Sequence, residues 1–267
     1  MPEVEGLLEL LLDRYGYDFR DYARASLVRR LRSCLAEEKL ETFAALCDRL
    51  LSDPGCVDRV LKKLSVNVTA MFRDPGFYRA LRREVLPRLA TYPFSRVWVA
   101  GCSTGEEAYS MAILLQEAGL YERTMIYATD LSEAALARAA EGIYPLSAMK
   151  DYTRNYQEAG GAGTFSDWYT AKYDSAILRG ELRRNIVFAA HNLGTDGVFN
   201  EFHLVLCRNV MIYFNRRLQA RVHELLYGSL ATFGVLGLGQ KEFLRLSPRE
   251  SCYETLDADC KLYRKVR

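Results

Sequence analysis

The stretch VWVAGCSTGEEAYSMAILL, residues 97–115, constrains the fold of this chain more than any other part of its sequence. An apolar run ends in a turn that contains Gly101 and Gly105, and a helical pattern follows. A strand, a glycine turn and a helix N-terminus form the corner at which open α/β sheets bind nucleotide-type cofactors. Glycine lets the backbone approach a ligand, and the N–H groups of the first helical turn face it. We therefore expect a cofactor site at Gly101.

The two carboxylates after the turn, Glu106 and Glu107, narrow the class of cofactor. The glycine spacing is G-x-x-x-G, which differs from the dinucleotide pattern G-x-G-x-x-G, and the lysine of a P-loop does not follow. Adjacent carboxylates would repel a pyrophosphate and suit a ligand with cationic groups. S-adenosylmethionine fits, because it carries a sulfonium, an α-ammonium and no phosphate. The alternative is that both glutamates only stabilise the first helical turn.

A second predicted strand, MIYATD at 125–130, ends in Asp130. An acid at the end of the strand that follows the turn and helix is placed to accept hydrogen bonds from both ribose hydroxyls of an adenosine. The alternative role for Asp130 is the N-cap of the next helix, although Ser132 could take that position instead. The turn and the acid together match the needs of a cofactor that contains adenosine.

Short runs rich in β-forming residues alternate with helical patterns through much of the remaining chain. Such alternation predicts an α/β fold, with a mostly parallel sheet covered by helices on both faces. The C-terminal stretch SCYETLDADCKLYRKV is predicted to form a hairpin at an antiparallel edge. The predicted strands are 96–100, 125–130, 186–190, 203–207 and 235–238, and the predicted helices are 105–118, 132–141 and 215–231.

Two regions do not follow this alternation. Roughly the first 65 residues have helical periodicity throughout, and a further helix is predicted from Pro75 to about residue 90. Residues 143–185 contain a glycine cluster and five tyrosines, which indicates an insertion or subdomain. We therefore expect a helical domain at 1–72, a helical linker at 73–94, and a sheet domain at 95–267 with an inserted subdomain at about 146–185.

Composition argues against several functions. The 267 residues are 49% hydrophobic, enough for full cores, and a formal net charge of +2 gives little support to nucleic-acid binding. Charged residues or glycines break every apolar run before it reaches membrane-spanning length, and the N-terminus lacks the layout of a secretion signal. We expect a cytoplasmic protein without membrane insertion. Seven scattered cysteines without a C-x-x-C pair, and three histidines, predict neither a disulfide framework nor a metal site.

Three motifs in a fixed order carry a resemblance to a known family: SVNVTAMFRDP at 65–75, AGCSTGEEAYS at 100–110 and CRNVMIYF at 207–214. Together they resemble the CheR-type chemoreceptor glutamate methyltransferases. The likeness covers nearly the whole chain, and the order and spacing of three rare motifs make it specific. Shorter matches support it: ATDLS at 128–132, GIYP at 142–145, HNL at 191–193 and SLVRRLR at 26–32.

The resemblance implies an all-α N-terminal domain that docks on the receptor, followed by a class I, Rossmann-like methyltransferase domain with an inserted small β-subdomain. It implies methyl transfer from S-adenosylmethionine to receptor glutamates, which gives glutamate methyl esters and S-adenosylhomocysteine. Arg73 and Tyr213 would lie nearest the transferred methyl and the substrate carboxylate. By motif position the cofactor contacts would be Asn67, Thr69, Arg73, Glu107, Asp130, Asn192, Leu193, Arg208 and Asn209, to which the glycine turn adds Gly101.

Two positions depart from the family pattern. Ala108 stands where many relatives have a proline after the paired glutamates, and the late GHSE-like segment reads GQKE at 239–242. Any role tied to that histidine is therefore not implied for this chain. The sequence also leaves open whether the insertion binds a receptor C-terminal tail peptide, as it does in some relatives.

The implied reaction needs little acid–base help. A glutamate side chain has an ordinary pKa of about 4.3, so it is already a nucleophile at neutral pH and catalysis should be mainly positioning. The guanidinium fork of Arg73 can hold a carboxylate without protonating it; the alternative is a surface salt bridge. Asn209 and Tyr213 follow a strand at the ligand-binding edge of the sheet. Their alternatives are capping of the next helix and, for Tyr213, a place in the core.

The segment RDYARASLVRRLR, residues 20–32, has five arginines and one aspartate. On a helical wheel Arg29, Arg30 and Arg32 lie opposite an apolar stripe formed by Leu27 and Leu31. This face is predicted to dock onto the acidic methylation helices of a chemoreceptor cytoplasmic bundle. The alternative is a face that is only solvated.

Two other functions compete with receptor methylation. One is a methyltransferase for a different acceptor, a small molecule or RNA, although the chain shows no basic groove rich in aromatic residues. The other is a non-catalytic signalling adaptor that binds S-adenosylmethionine or its product. We expect a monomer that binds neither metal nor nucleic acid, with the receptor bundle as its partner.

Overall fold

The computed structural model describes residues 2–64 and 69–267, and it begins with a unit of four helices. Their apolar stripes face one another and bury a separate core that includes Leu7, Leu31 and Leu46, each with no exposed surface. Thr42 caps the third helix by accepting a hydrogen bond from the N–H of Ala45 at 3.1 Å. The helices are α1 (Pro2–Tyr15), α2 (Arg24–Glu38), α3 (Phe43–Ser52) and α4 (Pro54–Leu64).

The helix predicted from Pro75 to about residue 90 forms in three parts, as α5 (Pro75–Ala80), a π-helical turn (Leu81–Val85) and α6 (Leu86–Leu89). Pro75 occupies the first helical turn, where its missing N–H costs nothing. Pro87 lies just after the π-helical turn. Because it cannot donate to the carbonyl four residues earlier and its ring crowds that carbonyl, the helix widens there.

Among the residues that the structure describes, ten strands form two sheets. The strands are β1 (Ser95–Ala100), β2 (Thr124–Asp130), β3 (Ile143–Pro145), β4 (Tyr169–Lys172), β5 (Ser175–Leu178), β6 (Ile186–Ala190), β7 (Phe202–Cys207), β8 (Leu230–Leu238), β9 (Tyr253–Asp257) and β10 (Leu262–Lys265). The remaining helices are α7 (Glu106–Glu117), α8 (Glu133–Glu141), α9 (Met149–Glu158) and α10 (Arg216–Ser229).

The larger sheet has the strand order β6-β2-β1-β7-β8-β10-β9. The five strands from β6 to β8 are parallel, and the C-terminal hairpin adds β10 antiparallel to β8. All five predicted strands and the edge hairpin are thus confirmed. The predicted strand at 235–238 extends back to Leu230 across a bulge, where Phe233 has a left-handed φ of 67°.

The strand order reverses between β1 and β7, which makes the carboxyl ends of β1, β2 and β7 the expected binding edge of the sheet. The smaller sheet, β3-β5-β4, is antiparallel and lies in the insertion together with α9. The expected architecture of a helical front unit, a mostly parallel sheet and a small inserted β-structure is confirmed. None of the helices in the described parts of the chain is long and apolar enough to cross a membrane.

The helical front unit lies against the segment that follows β7. The N–H of Ala23 donates to the carbonyl of Tyr213 at 2.7 Å, and the N–H of Asn215 donates to the carbonyl of Asp21 at 2.8 Å. The rings of Tyr22 and Phe214 meet edge to face, with their centroids 5.0 Å apart. These contacts close the front helices over the carboxyl edge of the sheet.

Candidate active site

The turn after β1 is shaped by two glycines that cannot be replaced without a clash. Gly101 has a φ of 74°, and a Cβ there would lie 2.4 Å from Cγ2 of Val210. Gly105 has a φ of 92°, and a Cβ there would lie 2.8 Å from Cβ of Ala139. The N–H groups of residues 101 and 102 both donate to the carbonyl of Thr129, at 2.8 and 2.9 Å. The turn is therefore held between β2 and the loop after β7, with no room for a side chain at position 101.

The paired glutamates have different environments. Glu106 is buried, and its carboxylate accepts hydrogen bonds from Oγ1 of Thr104 at 2.7 Å and from the hydroxyl of Tyr152 at 3.3 Å. Burial raises the pKa of Glu106. Glu107 instead accepts from Nη1 of Arg208 at 2.6 Å and lines a cavity. Glu106 thus ties the turn to the insertion, while Glu107 faces the site.

Arg208 forms the charged centre of this edge of the sheet. Its side chain is 2% exposed, and its Nη2 donates to Oδ2 of Asp74 at 2.8 Å and to the carbonyl of Arg73 at 3.1 Å. The guanidinium lies 4.0 Å from the ring centroid of Phe77. Burial lowers the pKa of Arg208, but the carboxylates of Glu107 and Asp74 outweigh it and hold that pKa above its ordinary value. The cation therefore fixes both the first turn of α7 and the main chain at Arg73.

Arg73 itself sits between two residues with left-handed backbone, Phe72 at a φ of 52° and Asp74 at 60°. Left-handed φ is uncommon for residues other than glycine, so the surrounding contacts must hold this turn. The N–H of Phe72 donates to Oγ of Ser110 on α7 at 2.9 Å, and Nδ2 of Asn155 on α9 donates to the carbonyl of Met71 at 3.0 Å. The turn presents the half-buried Arg73 to a cavity.

Asp130 lies at the end of β2, as predicted. Its Oδ2 accepts from the N–H of Ser103 at 2.8 Å, and its Oδ1 accepts from the N–H of Ser132 at 2.9 Å. Burial raises the pKa of Asp130, and these backbone donors oppose the rise. The N-cap of α8 is Ser132, whose hydroxyl accepts from the N–H of Ala135 at 3.2 Å. The main chain of Leu131 also donates to this carboxylate, and the acceptor capacity that remains is available to a ligand hydroxyl.

The loop after β6 brings Asn192 and Leu193 to the same edge. The N–H of His191 donates to the carbonyl of Asp130 at 3.1 Å, which fixes the start of the loop. Oδ1 of Asn192 then accepts from the N–H of Gly194 at 2.9 Å. This tight turn directs the buried Leu193 and its neighbour toward the glycine turn side of the sheet, where both line a cavity.

The loop after β7 depends on a residue that the sequence interpretation missed, Glu242. Its buried carboxylate accepts four backbone N–H groups at 2.7 to 2.8 Å. The donors are Gly239, Asn209, Val210 and Met211. Glu242 ends the GQKE segment, which drew attention in the sequence only for its departure from the GHSE-like pattern.

Two adjoining cavities run along this edge, with Gly101, Ser103 and Asn209 lining both. The larger lies between the helical front unit and the sheet, and the smaller lies beside Arg73 and Arg208. Of the predicted site residues, the larger cavity collects Asp130, Asn192, Leu193 and Tyr213, and the smaller collects Thr69, Arg73, Glu107 and Arg208. The predicted contact Asn67 lies outside the described residues.

The predicted catalytic pair does not share one cavity, because Arg73 lines the smaller and Tyr213 the larger. The front unit also contributes Asp18, Phe19 and Tyr22 to the larger cavity, which the sequence did not indicate. These residues are far from Asp130 in sequence, and only the packing of the two units brings them there.

The three arginines of the predicted docking face on α2 have different surroundings. Arg29 and Arg32 are exposed, but Arg30 is half-buried, and its Nη1 donates to the carbonyl of Leu64 at 2.6 Å. Its guanidinium lies 4.2 Å from the ring centroid of Tyr213. The wheel considers one helix alone, whereas the end of α4 and the loop after β7 cover this part of the face.

The arrangement fits S-adenosylmethionine. The larger cavity combines apolar walls with the Asp130 carboxylate, which suits the base and ribose of an adenosine. The smaller combines Glu107 with the Arg208 guanidinium, which suits an amino-acid group with both charges. Position 101 is a cradle that any Cβ would fill. Cys102 also lines the smaller cavity, but burial raises its pKa well above the ordinary value, so it is a neutral thiol there.

Comparison with known proteins gives matches to methyltransferase families in both the helical front unit and the sheet domain. The family described as CheR methyltransferase, SAM binding domain, matches residues 67–258, and that described as CheR methyltransferase, all-alpha domain, matches residues 2–65. A Pseudomonas putida protein named Cher3 is 48% identical, over 98% of this chain and 96% of its own. A chemotaxis protein methyltransferase of Listeria innocua is 33% identical, over 91% of this chain and 90% of its own. A Pseudomonas aeruginosa protein named probable biofilm formation methyltransferase WspC is 29% identical, over 89% of this chain and 56% of its own.

Proposed function

This chain belongs to the CheR methyltransferase family, and we propose that it methylates glutamate side chains in the cytoplasmic domain of a chemoreceptor. The observation that supports this most is the cleft of two adjoining cavities, with Asp130 in one and the Glu107–Arg208 pair and Arg73 in the other. One cavity accommodates the adenosine, and the other accommodates the amino-acid end next to a cation that can hold a carboxylate.

The choice of a carboxylate as acceptor follows from the charges of the smaller cavity. When bound, S-adenosylmethionine supplies a sulfonium methyl group, which a glutamate oxygen takes to give the methyl ester and S-adenosylhomocysteine. A glutamate is ionised at neutral pH, so the protein has no proton to remove. Arg73 holds one carboxylate oxygen by charge-assisted hydrogen bonds while the other reacts, and it lowers the entropy cost of alignment.

The other residues bind and orient. Asp130 would accept hydrogen bonds from the ribose hydroxyls, and Asn192 and Leu193, which line the same cavity, would hold the base. Glu107 takes the α-ammonium, and Arg208 holds Glu107 in place while it neutralises part of the local negative charge. Tyr213 lines the larger cavity, where it would limit how the bound cofactor can turn.

The exposed arginines of α2, Arg29 and Arg32, are the proposed receptor contact. A basic helix face complements the acidic helices that display methylation sites, and it would steer the receptor to the cleft at long range. Arg30 belongs to the same helix but contacts Tyr213, so it links the docking helix to the cleft.

The test is transfer of a labelled methyl group. The protein is incubated with methyl-labelled S-adenosylmethionine and receptor cytoplasmic fragments, and the labelled fragment is then treated with alkali. We expect label that alkali releases, because glutamate methyl esters hydrolyse readily, and no label on a fragment whose methylation-helix glutamates are replaced by alanine. Alkali-stable label would indicate a different acceptor, and tight binding without any transfer would favour a signalling adaptor.

The relative named WspC makes the choice of fragments important, since its name refers to biofilm formation. Receptor fragments from flagellar and from other chemosensory systems should both be tested. The proposal requires methyl-ester formation on at least one of them, and the preferred fragment then identifies the signalling system.

A further inference from the structure

Glu242 is a buried carboxylate that the proposed reaction does not use directly. The residue is 3% exposed and lies just after β8, 33 residues along the chain from its partner Asn209. Its Oε2 accepts from the N–H groups of Gly239 at 2.7 Å and Asn209 at 2.8 Å. Its Oε1 accepts from those of Val210 at 2.8 Å and Met211 at 2.7 Å. One side chain therefore satisfies three consecutive N–H groups of the loop after β7.

This geometry requires an ionised carboxylate. Two oxygens with two lone pairs each can accept four N–H groups, whereas an amide would turn an NH₂ group toward two N–H donors. A proton on either oxygen would meet an N–H in the same way. Burial raises the pKa of Glu242, and the four donors oppose that rise by favouring the anion. The same four hydrogen bonds that hold the carboxylate in place also fix the positions of the main-chain N–H groups that donate them.

The three donors from the loop are the ones that shape the cleft. Asn209 lines both cavities and has a left-handed φ of 60°, a conformation that asparagine tolerates better than most residues. Val210 lies against Gly101, where a Cβ would approach its Cγ2 to 2.4 Å. Met211 begins the short turn that ends at Tyr213. A small shift of this main chain would therefore change the shape of both cavities.

We propose that Glu242 is a positioning residue for cofactor binding, which acts by fixing the main chain of Asn209, Val210 and Met211 against the glycine turn. This inference rests on the proposed function, because it takes the cleft to be the S-adenosylmethionine site. Glu242 lines neither cavity, so its proposed effect passes through Asn209 and Val210.

The experiment compares Glu242→Gln with the wild type by calorimetry with S-adenosylhomocysteine and by amide hydrogen exchange of the peptide covering residues 208–214. We expect at least tenfold weaker binding by the folded variant. Exchange should accelerate in residues 209–211 and stay unchanged in β1 and β2. A merely structural role would lower stability throughout and leave the affinity of the folded fraction unchanged.

Glu117→Gln is the matched control. Glu117 is also a well-buried carboxylate, with a side chain 5% exposed and hydrogen bonds from Arg82 and Tyr156, but it lines neither cavity. It should lose stability and keep its affinity for S-adenosylhomocysteine. If Glu242→Gln does not fold, Gly239→Ala replaces it, because a Cβ there would lie 2.7 Å from Oε2 of Glu242 and 2.8 Å from the main-chain nitrogen of Asn209, so it must disturb the hydrogen bond between them. Gly239→Ala should then give the same local change in exchange and the same weaker binding.

Two results would overturn the proposal. One is affinity within twofold of the wild type for Glu242→Gln, or for Gly239→Ala in its place. The other is equal losses of affinity in the Glu242 and Glu117 variants. Failure of the proposed function is distinct, since then the wild-type protein itself would not bind S-adenosylhomocysteine.

Discussion

The guanidinium of Arg30 lies 4.2 Å from the ring centroid of Tyr213, so a cation of the basic helix α2 rests on an aromatic ring of the cleft. Such a contact stabilises by about 1 kcal/mol, and more when water is excluded. Burial lowers the pKa of Arg30, but an arginine stays charged at any physiological pH. Arg29, Arg30 and Arg32 therefore divide into an exposed pair, Arg29 and Arg32, and one residue that contacts the cleft, Arg30.

This division predicts a salt-dependent phenotype for the exposed pair. Replacing both Arg29 and Arg32 with alanine should raise the apparent KM for a receptor fragment and leave the affinity for S-adenosylhomocysteine unchanged. The increase should shrink as salt is added, since exposed charges are screened beyond about 8 Å at physiological ionic strength. Steady-state kinetics across a salt series measures it.

Arg30→Ala is the contrast for that experiment. Because Arg30 is half-buried against Leu64 and Tyr213, its effect on turnover should persist at high salt. Identical salt dependence for the two variants would show that all three arginines act as one exposed face. Unchanged receptor kinetics for the double variant at low salt would leave that face only solvated.

A second prediction separates ligand binding from helix capping at the end of β2. Asp130→Ala should weaken S-adenosylmethionine and S-adenosylhomocysteine alike, by at least tenfold, because both carry the ribose diol. Ser132→Ala should lower the free energy of unfolding by about 1 kcal/mol, because α8 loses its N-cap. The affinity of this variant for both ligands should stay unchanged. Calorimetry and thermal unfolding on both variants decide between the roles. If Asp130→Ala lowered stability but left the affinity for both ligands unchanged, Asp130 would not bind the ribose.

The pH dependence of binding gives a third prediction. Burial raises the pKa of Asp130, so in the free protein it takes up a proton at a higher pH than an exposed aspartate does. Ribose hydroxyls donate to the ionised form, and a proton therefore competes with the ligand. Affinity for S-adenosylhomocysteine should fall on acidification from neutral pH, starting above the ordinary aspartate range. Asp130→Asn should flatten that part of the profile, and equal slopes in both proteins would contradict the assignment.

A fourth prediction concerns the buried ion pairs of Arg208. Arg208→Ala leaves the carboxylates of Glu107 and Asp74 without their cation in a largely buried site, so the free energy of unfolding should fall by roughly 3 to 5 kcal/mol. The exposed ion pair between Arg184 and Glu122 provides the comparison. Arg184→Ala should change the free energy of unfolding by less than about 1 kcal/mol. Urea unfolding measures both. A loss for Arg208→Ala as small as that for Arg184→Ala would mean that the cluster does not hold the turn.

Local patterns predicted much of this fold. Strand Ser95–Ala100 ends in the apolar run 97–100, which meets a turn. The turn was recognisable because it contains Gly101 and Gly105, and both adopt the left-handed backbone that glycine favours. Asp130 was recognised because its place at a strand end after such a turn has a chemical reason. Each of these signals lies within a few neighbouring residues.

What the sequence did not reveal depends on contacts between distant segments. Glu242 looks like an ordinary loop residue, and only the packing of β8 beside β7 brings it to the N–H groups of Asn209 and its neighbours. A helical wheel places Arg30 on the same face as Arg29 and Arg32, but in the fold the loop after β7 covers Arg30. The widened turn at Leu81–Val85 had a local cause in Pro87, which the sequence interpretation did not use.

Arg73 lines the smaller cavity and is the proposed cation for the substrate carboxylate. If it holds that carboxylate, Arg73→Ala should fold and bind S-adenosylhomocysteine with at most a modest loss. Its turnover on a receptor fragment should fall by about two orders of magnitude or more, since charge-assisted hydrogen bonds at a desolvated site contribute on the order of 3 kcal/mol. Arg73→Lys should recover part of the rate, because one ammonium cannot reproduce the planar fork.

The decisive measurement is therefore the ratio of turnover to product affinity in Arg73→Ala, from single-turnover methyl transfer and calorimetry on the same preparation. The account predicts a large loss of methyl transfer with product binding nearly preserved. Near-normal turnover by this variant would contradict it, and the glutamate would then have to be positioned by other groups of the cleft.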